Sequence, residues 1–467
     1  MGSFIEYRGF GHVLQGSGPW FWWLVGAYLS VPIVVYFLLP FIMYRRPRGN
    51  RKTVSILVLG DLGHSPRMCY HALSFSKLDY YVNLCGYLES EPPTSVIEDI
   101  NIDIRPIAAI KNKAGLPYLM FAAQKILLQF YQLFQLLLDV RGSDFYLIQN
   151  PPSIPLLLVL VVFMKLFSRD SKLVIDWHNL NYSILNLKYQ NLNHPLVKFL
   201  KAYEKYLGKF AWLNITVTHA MKNYLIEEFG YSPSSITTLH DRPGSQFKPL
   251  EESGYVKEEV LVEHPIFKGV PDISSYKLLV SSTSFTPDED FGILLDALKF
   301  YDESKASHET PVFLIVTGKG PLKDQFLARV TDLKFSDRVI IRNAWLSAED
   351  YPTILSLADL GISLHTSSSG IDLPMKIVDF FGVGVPVISL SFPAIGELVV
   401  NNLNGLTINP KEETTKSKGE ELYRLLTEVL SDEKQLLKLK AGALAESKKR
   451  WDANWSRKLA SKFPECS

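Results

Sequence analysis

The stretch GISLHTSSSGIDLPMKIVDFFGVGVPVI, residues 361–388, decides the fold class of this chain. It predicts a buried strand, a Ser/Gly loop (367–370), a helix that begins near Leu373-Pro374 and a second buried strand at Val387-Ile388, because proline suits the first helical turn. The unpaired N–H groups and the dipole of a helix N-terminus favour a bound anion such as phosphate. The stretch therefore predicts both a parallel α/β unit and an anion site.

Two charged side chains of the predicted helix indicate that the anion bound here carries a sugar. Lys376 lies in the first turn of the predicted helix and adds a full positive charge, and Asp379 follows three residues later on the same side, within reach of sugar hydroxyls. Together they predict a nucleotide-sugar site. The spacing alone is equally compatible with an ordinary strand–helix–strand unit that binds no ligand.

Buried strand-like segments alternate with helix-like segments along both halves of the chain. TVSILVL (53–59) and KLVIDW (172–177) in the first half, and KLLVSST (277–283) and VFLIVTG (312–318) in the second, are typical of strands buried in parallel sheets. A chain of 467 residues is also too long for one ordinary domain. The pattern predicts an α/β protein with two doubly wound, Rossmann-like domains that face a cleft.

The polar segment from about Asp241 to Tyr276 carries several Pro, Gly and Glu residues and marks the predicted boundary between these domains. The predicted parts are an N-terminal tail (1–19), a transmembrane anchor (20–44), an N-terminal acceptor-side domain (45–245), a C-terminal nucleotide-sugar-binding domain (246–435) and a C-terminal helical tail (436–467).

Residues 20–44 contain no charged side chain, and about 25 helical residues span roughly 37 Å, enough for a tilted membrane helix. Positive charge is concentrated after this segment, since the preceding tail has only Arg8 against Glu6. The cluster comprises Arg45, Arg46, Arg48, Arg51 and Lys52. This asymmetry predicts a signal anchor with a lumenal tail and a cytosolic body. A cleaved signal peptide fits less well, because the apolar run is too long and the positive charges lie on the wrong flank.

Two further apolar stretches, 118–140 and 154–167, are predicted helices of the N-terminal domain. The first is interrupted by glutamines and a lysine and the second is short, so neither is a convincing membrane span. They either lean on a bilayer or belong entirely to the domain core.

Charge and cysteine content exclude several classes of protein. The formal charge of +1, from 49 basic and 48 acidic residues, gives the protein no overall positive potential that would attract nucleic acid. The three cysteines, Cys69, Cys85 and Cys466, have neither metal-binding spacing nor the number needed for a disulfide framework, as expected in a reducing compartment. No metal site or cofactor is predicted, and the need for a divalent cation is left open.

Loops at strand ends supply the remaining candidates, because ligands of α/β domains bind beyond the carboxyl ends of the strands. A glycine-containing loop after the first strand allows a close approach of backbone to a diphosphate, and Arg67 could neutralise its charge; a plain strand-to-helix turn is the alternative. This phosphate loop comprises Gly60, Gly63, His64 and Ser65. A further strand end, Gly318-Lys319-Gly320, is predicted to line the nucleotide pocket.

The strand that ends at Asp176-Trp177-His178 provides a candidate base. Histidine titrates near neutrality, so His178 is the first candidate for the general base, followed by Asp176 and then Asp61. A structural histidine that is hydrogen-bonded at a strand end is the alternative.

Five separated motifs carry a family resemblance. They are LGDLGHSPRMCYHALS (59–74), QNPPSIP (149–155), IDWHN (175–179), SSTSFTPDEDFGILLDAL (281–298) and GIDLPMK (370–376). With them the chain resembles GT-B glycosyltransferases, and specifically the chitobiosyldiphosphodolichol beta-mannosyltransferases, from about residue 54 to the tail around Trp451. The resemblance implies an inverting enzyme on the cytosolic face of the endoplasmic reticulum membrane. It would move mannose from GDP-mannose in β1,4 linkage to chitobiosyl-diphosphate-dolichol, the first mannose step of the N-glycan precursor. A complex with other glycosyltransferases of the pathway is a further hypothesis.

The resemblance also implies roles in donor binding. Ser282 and Thr283 stand where many related GT-B enzymes carry a glycine–arginine pair, and Asp288-Glu289-Asp290 stands near their lysine, so two cations are missing. Phosphate binding would then depend on hydroxyls, backbone N–H groups and Lys376. Asp379 matches the second, ribose-contacting acid of the E-x7-E pattern, whereas Asp372 is one residue out of register with the first.

Three other functions remain open. A lipid-linked glycosyltransferase that uses a UDP-sugar differs only in the donor, and a catalytically silent GT-B subunit would lack turnover. A transporter would place different segments in the lumen, where the sequons at Asn181, Asn214 and Asn454 would accept glycans.

Overall fold

The computed structural model describes residues 18–38, 51–110, 117–287, 289–304, 310–410 and 412–464. Most of the predicted tail, the end of the predicted anchor with Arg45, Arg46 and Arg48, and also Asp288 and Cys466 lie outside the described residues.

The described chain forms two parallel β-sheets. The first has seven strands in the order β3-β2-β1-β4-β5-β6-β7, and the second has six in the order β10-β9-β8-β11-β12-β13. The strand order reverses between β1 and β4 and between β8 and β11, and such switch points are where open α/β sheets bind ligands. The strands are β1 (Thr53–Asp61), β2 (Tyr81–Tyr87), β3 (Ile102–Pro106), β4 (Phe145–Asn150), β5 (Lys172–Trp177), β6 (Leu213–Thr216), β7 (Ile236–Thr238), β8 (Lys277–Ser282), β9 (Val312–Thr317), β10 (Val339–Ala344), β11 (Leu360–Ser363), β12 (Val387–Leu390) and β13 (Gly405–Ile408).

Helices connect the strands. They are α1 (Pro19–Ile33), α2 (Pro66–Lys77), α3 (Thr94–Ile97), α4 (Tyr118–Asp139), α5 (Leu156–Phe167), α6 (Asn181–Tyr189), α7 (Pro195–Leu207), α8 (His219–Glu227), α9 (Leu250–Ser253), α10 (Lys257–Glu263), α11 (Phe291–Glu303), α12 (Lys323–Leu333), α13 (Asp350–Leu357), α14 (Met375–Gly382), α15 (Thr415–Ser431), α16 (Glu433–Ser447) and α17 (Trp451–Leu459).

Continuous apolar sequence produces the central strands. Every residue of β9 is buried, and β5 is buried from Leu173 to Trp177, because helices cover both faces of each sheet. Separate apolar cores lie on the two faces of each sheet. The predicted pair of doubly wound, Rossmann-like domains is confirmed.

The C-terminal helices contact both domains. Leu436 and Leu439 of α16 belong to a core of the second sheet, whereas Trp455 and Phe463, in and after α17, belong to a core of the first. The predicted boundary at 435/436 falls within α16. The end of the chain therefore links the two domains in addition to the connection 239–276.

The N-terminal helix α1 continues as a single stretch of π-helix, Val34–Leu38. Within the described residues, no helix meets the combined requirement of length and hydropathy for crossing a membrane.

A contact between the domains lies beside α8. Both oxygens of the Glu397 carboxylate, in the second domain, accept the backbone N–H groups of His219 and Ala220 at 2.7 and 2.8 Å, and His240 Nε2 lies 2.8 Å from the same carboxylate. The carboxylate thus caps the N-terminus of a helix in the other domain. Although partial burial would raise the pKa of Glu397, the hydrogen bonds from His240, His219 and Ala220 outweigh it and lower the pKa.

We expect Glu397→Gln to destabilise the protein by about 1 kcal/mol at pH 7, because the amide cannot supply the charge at the helix N-terminus. A carboxyl group whose pKa is lowered on folding stabilises the protein above its unfolded pKa, and that contribution is lost as the pH falls through the folded pKa. Urea unfolding of both proteins should therefore show a difference at pH 7 that shrinks toward pH 4.

The matched control is Glu421→Gln. The pKa of Glu421 is also lowered, first by its hydrogen bond with Arg424, but the pair lies within α15 and Arg424 is exposed. An equal loss of stability in both variants would contradict the proposed importance of the interdomain cap.

Candidate active site

A cavity of about 380 Å³ lies between the two sheets, at the carboxyl ends of their strands. Residues from both domains line it, and six of the predicted site residues are among them: His64, Ser65, Arg67, His178, Asp372 and Lys376. The other lining residues include Gln149, Asn179, Val217, Asp241, Ser284, His365 and Pro374.

Two helix N-termini border the cavity, one from each domain. Pro66 begins α2 in the first domain, and Met375 and Lys376 begin α14 in the second. Each N-terminus offers unpaired N–H groups and the positive end of a dipole. The cavity is therefore suited to an anionic group held between the domains.

Lys376 reaches the cavity as predicted, but its ammonium is paired. It donates to Glu289 Oε1 at 2.7 Å, and Glu289 is buried and also accepts the backbone N–H of Ser284 at 3.0 Å and the Thr283 hydroxyl. Glu289 thus fixes the direction of Lys376, and it connects the predicted Ser/Thr strand end to the predicted helix start. From the sequence, Glu289 was noted only as part of the acidic segment near the lysine position of related GT-B enzymes.

The hydroxyls of the Ser/Gly loop already have partners. Ser367 and Ser369 donate to the Asp372 carboxylate, and Ser368 Oγ lies 3.2 Å from Asn179 Nδ2 and 3.2 Å from Ser183 Oγ in the first domain. The loop was expected to offer free hydroxyls to phosphate. Instead it holds Asp372 at the cavity wall and joins the two domains.

His178 is held at the cavity wall by Asp176. Its Nε2 lies 2.8 Å from Asp176 Oδ2, and its side chain is 25% exposed while that of Asp176 is fully buried. Burial alone would raise the pKa of Asp176, but the charge of Arg67 and the hydrogen bonds from His178 and His71 outweigh it and hold the pKa well below its usual value. Asp176 is ionised, so Nε2 of His178 carries the proton and Nδ1 is the nitrogen that can accept another.

Asp176 cannot contact a substrate itself. Both of its oxygens accept hydrogen bonds from Arg67, at 2.8 and 2.9 Å, and His71 Nε2 lies 3.2 Å from Oδ2. The second candidate base is therefore a positioning residue for the first.

Arg67 was expected to neutralise a bound diphosphate, but its guanidinium is already paired within the protein. The guanidinium is buried and donates to Asp241 Oδ1 at 2.7 Å and to the Leu239 carbonyl at 3.0 Å, in addition to its bonds with Asp176. Two carboxylates neutralise it, so its contribution to the cavity is mainly to fix Asp176.

Asp61, the third candidate base, does not line the cavity. Its oxygens accept the N–H groups of Glu89 and Ser90 at 3.0 and 3.1 Å, and His64 Nδ1 lies 2.6 Å away. Although burial would raise the pKa of Asp61, these hydrogen bonds outweigh it and lower the pKa to about 2, which makes it a weak base. The backbone at Gly63 packs closely against the segment that contains Glu91, since a Cβ at position 63 would lie 2.8 Å from the Glu91 carbonyl oxygen.

Behind Lys376, Asp379 lies near the predicted donor residue Ser282. Tyr351 OH bridges them, 3.0 Å from Ser282 Oγ and 3.4 Å from Asp379 Oδ2. Burial, reinforced by the charge of Asp241, raises the pKa of Asp379 to about 8 despite the hydrogen bond from Tyr351. The carboxyl group is therefore largely neutral at pH 7 and can donate a hydrogen bond as well as accept one.

The predicted Gly318-Lys319-Gly320 loop packs against the end of β8. A Cβ at Gly318 or Gly320 would collide with the carbonyl groups of Thr283 or Ser284, so both positions require glycine. Lys319 Nζ lies 4.0 Å from the ring centroid of Trp345, an exposed side chain just beyond β10. This loop, Ser282, Thr283 and Asp379 do not line the cavity.

Sequence reasoning missed His71, Asp241 and Glu289. His71 was detectable in principle, because Arg67 and His71 are four residues apart and share one face of a helix. Asp241 and Glu289 were not, since their partners are 174 and 87 residues away in the chain.

A trio that could hold a metal ion, His219, His240 and Glu397, lies at the interdomain cap and not in the cavity. Glu397 is already bonded there to His240 Nε2 and to the backbone N–H of His219.

The geometry suits one kind of chemistry. A histidine oriented by a buried carboxylate can remove a proton from a hydroxyl, while two helix N-termini and a lysine stabilise negative charge on a departing group a short distance away. These are the two functions needed to transfer a group to an alcohol when the leaving group departs as an anion: a base for the alcohol and stabilisation of the anion.

Comparisons with known proteins agree with this chemistry. Residues 277–428 match the family model of glycosyl transferases group 1. A curated protein of Debaryomyces hansenii named chitobiosyldiphosphodolichol beta-mannosyltransferase is 62% identical over 463 residues, covering 99% of this chain and 98% of its own length. The human protein of that name is 36% identical and covers 92% of this chain and 98% of its own.

Solved structures are similar in fold. Sucrose-phosphate synthase of Thermosynechococcus elongatus aligns with a TM-score of 0.64 at 14% identity, over 87% of this chain and 97% of its own. A glycosyltransferase of Rickettsia africae aligns with a TM-score of 0.60 at 15% identity, over 90% and 99%. The fold is GT-B-like, and the identity of 62% over nearly the whole length shows that the chain belongs to the chitobiosyldiphosphodolichol beta-mannosyltransferase family of glycosyltransferases.

Proposed function

We propose that the protein is an inverting glycosyltransferase that moves mannose from GDP-mannose in β1,4 linkage to chitobiosyl-diphosphate-dolichol. The observation that carries the proposal is the pairing of His178 with Asp176 across one cavity from Lys376 and the two helix N-termini. The names of the relatives, which specify mannose transfer to a dolichol-diphosphate chitobiose, support the substrates.

The reaction needs one base and one stabilised leaving group. His178 Nδ1 takes the proton of the acceptor hydroxyl as its oxygen attacks the anomeric carbon of the sugar. The bond between that carbon and the diphosphate breaks on the opposite face, so the configuration inverts and the electron pair leaves with the phosphate. Lys376 and the N-termini of α2 and α14 stabilise the charge that develops there. Asp176 remains ionised and stabilises the imidazolium.

We also propose that residues 20–44 form a single-pass anchor in the endoplasmic reticulum membrane with the two domains in the cytosol. The basic cluster after the segment supports this orientation. The side-chain N–H groups of Asn181 and Asn454 donate to Glu204 and to the His240 carbonyl. Asn214 is buried in β6, where its Oδ1 accepts the indole N–H of Trp177, so none of the three sequons is displayed as an acceptor for a lumenal glycan. A complex with other glycosyltransferases of the pathway stays a prediction.

The direct test is sugar transfer by purified protein that lacks residues 1–44, with a short-lipid chitobiosyl diphosphate as acceptor. GDP-mannose and UDP-GlcNAc are offered in parallel, because the residues by themselves do not distinguish guanine from uracil. We expect product from GDP-mannose only, and the product should be cleaved by β-mannosidase. Transfer from UDP-GlcNAc alone would establish the rival donor, and folded protein without product from either would favour a scaffold.

We expect Lys376→Ala to raise the KM for the donor about 10-fold to 100-fold, because one charge-assisted hydrogen bond to phosphate is lost. The same change leaves Glu289 buried without its cation, so stability should fall as well.

The double variant Lys376→Ala with Glu289→Gln separates the two effects. It should recover stability, measured by urea unfolding, but not donor affinity. Steady-state kinetics that remain unchanged in Lys376→Ala would remove its proposed role.

A further inference from the structure

We propose that the first domain docks directly on a lipid bilayer through the outer sides of α4, α5, α6 and α7, as a membrane contact in addition to the N-terminal segment. Large apolar side chains on all four helices point into solvent. They include Leu127 and Tyr131 on α4, Val162 on α5, Leu187 on α6, and Phe199 and Tyr206 on α7, with exposed fractions from 48% to 71%. These side chains define the apolar face.

The four helices adjoin one another. The rings of Phe134 on α4 and Phe163 on α5 are 6.2 Å apart, and the N–H of Leu158 on α5 donates to the hydroxyl of Tyr203 on α7 at 3.0 Å. Helix α6 packs along α7, where Lys201 Nζ lies 5.5 Å from the ring of Tyr182. The exposed apolar residues are therefore grouped on neighbouring helices, and such patches mark interaction surfaces.

Three exposed apolar residues of the second domain lie on separate elements: Val262 on α10, Leu403 before β13 and Leu437 on α16. They serve as matched controls for the apolar face.

The charges on these helices favour a lipid bilayer as the partner of the apolar face. From α5 to the 3-10 turn Gly208–Phe210, the helical segments carry six lysines and one acid, Glu204, which is buried in hydrogen bonds with Asn150 and Asn181. The lysines are Lys165, Lys188, Lys198, Lys201, Lys205 and Lys209. Lys201 is paired with the Glu228 carboxylate at 3.2 Å and Lys205 donates to the Glu228 carbonyl, so the other four lysines carry most of the excess positive charge. The whole chain has a net charge of only +1, so this excess is local. Apolar side chains surrounded by lysines fit an interface rich in anionic lipid.

The lysine stems add to the apolar surface. Lys165 Nζ lies 4.0 Å from the ring centroid of Phe210, and Lys209 Nζ lies 5.9 Å from that of Tyr206. Such side chains can place their carbons against lipid tails while the ammonium groups remain at the headgroups.

The face also adjoins the N-terminal segment and the cavity. Arg169, just after α5, lies 5.9 Å from the ring of Phe37 at the end of the N-terminal helical segment. On the other side, α6 begins at Asn181, two residues after Asn179 at the cavity wall. This step rests on the proposed function: an acceptor that is held in the bilayer by its lipid would present its sugar at the cleft.

The test uses the full chain in lipid nanodiscs, with one fluorophore at Leu127→Cys or Phe199→Cys. Native Cys69 and Cys85 are buried, and Cys466→Ser removes the remaining thiol. Brominated lipid chains should quench probes on the apolar face and leave probes at Val262→Cys and Leu437→Cys unquenched. Quenching of the face probes by aqueous iodide, equal to that of the controls, would overturn the proposal. Shielding from both quenchers would assign the face to a protein and overturn it as well.

The lysines are tested in nanodiscs with and without phosphatidylserine. Each of Lys198→Gln and Lys209→Gln should weaken docking on anionic lipid about fivefold, read from the bromine quenching, and have little effect on neutral lipid. Equal quenching on both lipids in all proteins would overturn the electrostatic part of the proposal.

A functional arm separates docking from catalysis. The pair Leu127→Glu and Phe199→Glu should lower transfer to a long-lipid acceptor in nanodiscs about tenfold and leave transfer to a short-lipid acceptor in solution intact. The control pair Val262→Glu and Leu437→Glu should change neither. If the unmodified chain transferred sugar to neither acceptor, the proposed function would fail while the quenching result stood. Equal loss on both acceptors in the Leu127/Phe199 pair would overturn the role of the face in acceptor delivery.

Discussion

Turnover of His178→Ala is expected to fall about a thousandfold, within the range for loss of a general base. His178 is partly exposed and Asp176 keeps its bonds to Arg67, so the variant should fold with nearly unchanged stability. The KM values should change much less than kcat. Steady-state transfer assays and urea unfolding on the same preparation measure both quantities.

Added imidazole distinguishes a base from a structural histidine. A small base that enters the vacated space should restore part of the turnover in His178→Ala. Asp61→Asn is the comparison variant, because Asp61 lies outside the cavity and has a pKa of about 2, and its turnover should fall much less. If Asp61→Asn lost more turnover than His178→Ala, the order of the candidate bases would be reversed.

Arg67→Met is expected to have the largest effect on stability, a loss of about 3–5 kcal/mol. Methionine fills similar space but leaves Asp176 and Asp241 buried without their cation. Asp176 should then lose its fixed position, so turnover should fall too. Urea unfolding at pH 7 gives the stability, and the transfer assay gives the activity.

The pH dependence has a definite sign. Since Arg67 helps to hold the pKa of Asp176 below its unfolded value, the pair stabilises the protein above the unfolded pKa and less as the pH falls toward the folded one. The deficit of Arg67→Met should therefore be smaller in acid than at pH 7. Arg67→Met with Asp241→Asn should recover part of the stability, and a deficit under 1 kcal/mol in the single variant would contradict the network.

The chain's local patterns predicted more of the fold than of the site. Continuous apolar runs predicted strands such as β1, β5 and β9, because a strand buried on both faces needs apolar residues throughout. The helix predicted to begin near Leu373-Pro374 begins at Met375, with Pro374 at its N-cap. These features depend on neighbours within a few residues.

The polar partners in the cavity depended on distant parts of the chain. Lys376 and Arg67 were expected to face phosphate as free cations, but Glu289 and Asp241 pair with them across 87 and 174 residues. The His178 network extends further still, since Trp455 Nε1 donates to His71 Nδ1 at 3.0 Å and His71 bonds to Asp176. A helix from the other end of the chain thus helps to position the candidate base.

By itself the sequence determined two doubly wound domains, the family, and His178 and Lys376 as residues of the cleft. Periodicity and strand-end position depend on residues close together in the sequence, and the order of the motifs can be read from the sequence directly. Only the tertiary structure decided which charges are paired, and that four neighbouring helices of the first domain expose large apolar side chains. Pairing and exposure depend on which distant segments pack against a side chain, and no spacing along the chain specifies that.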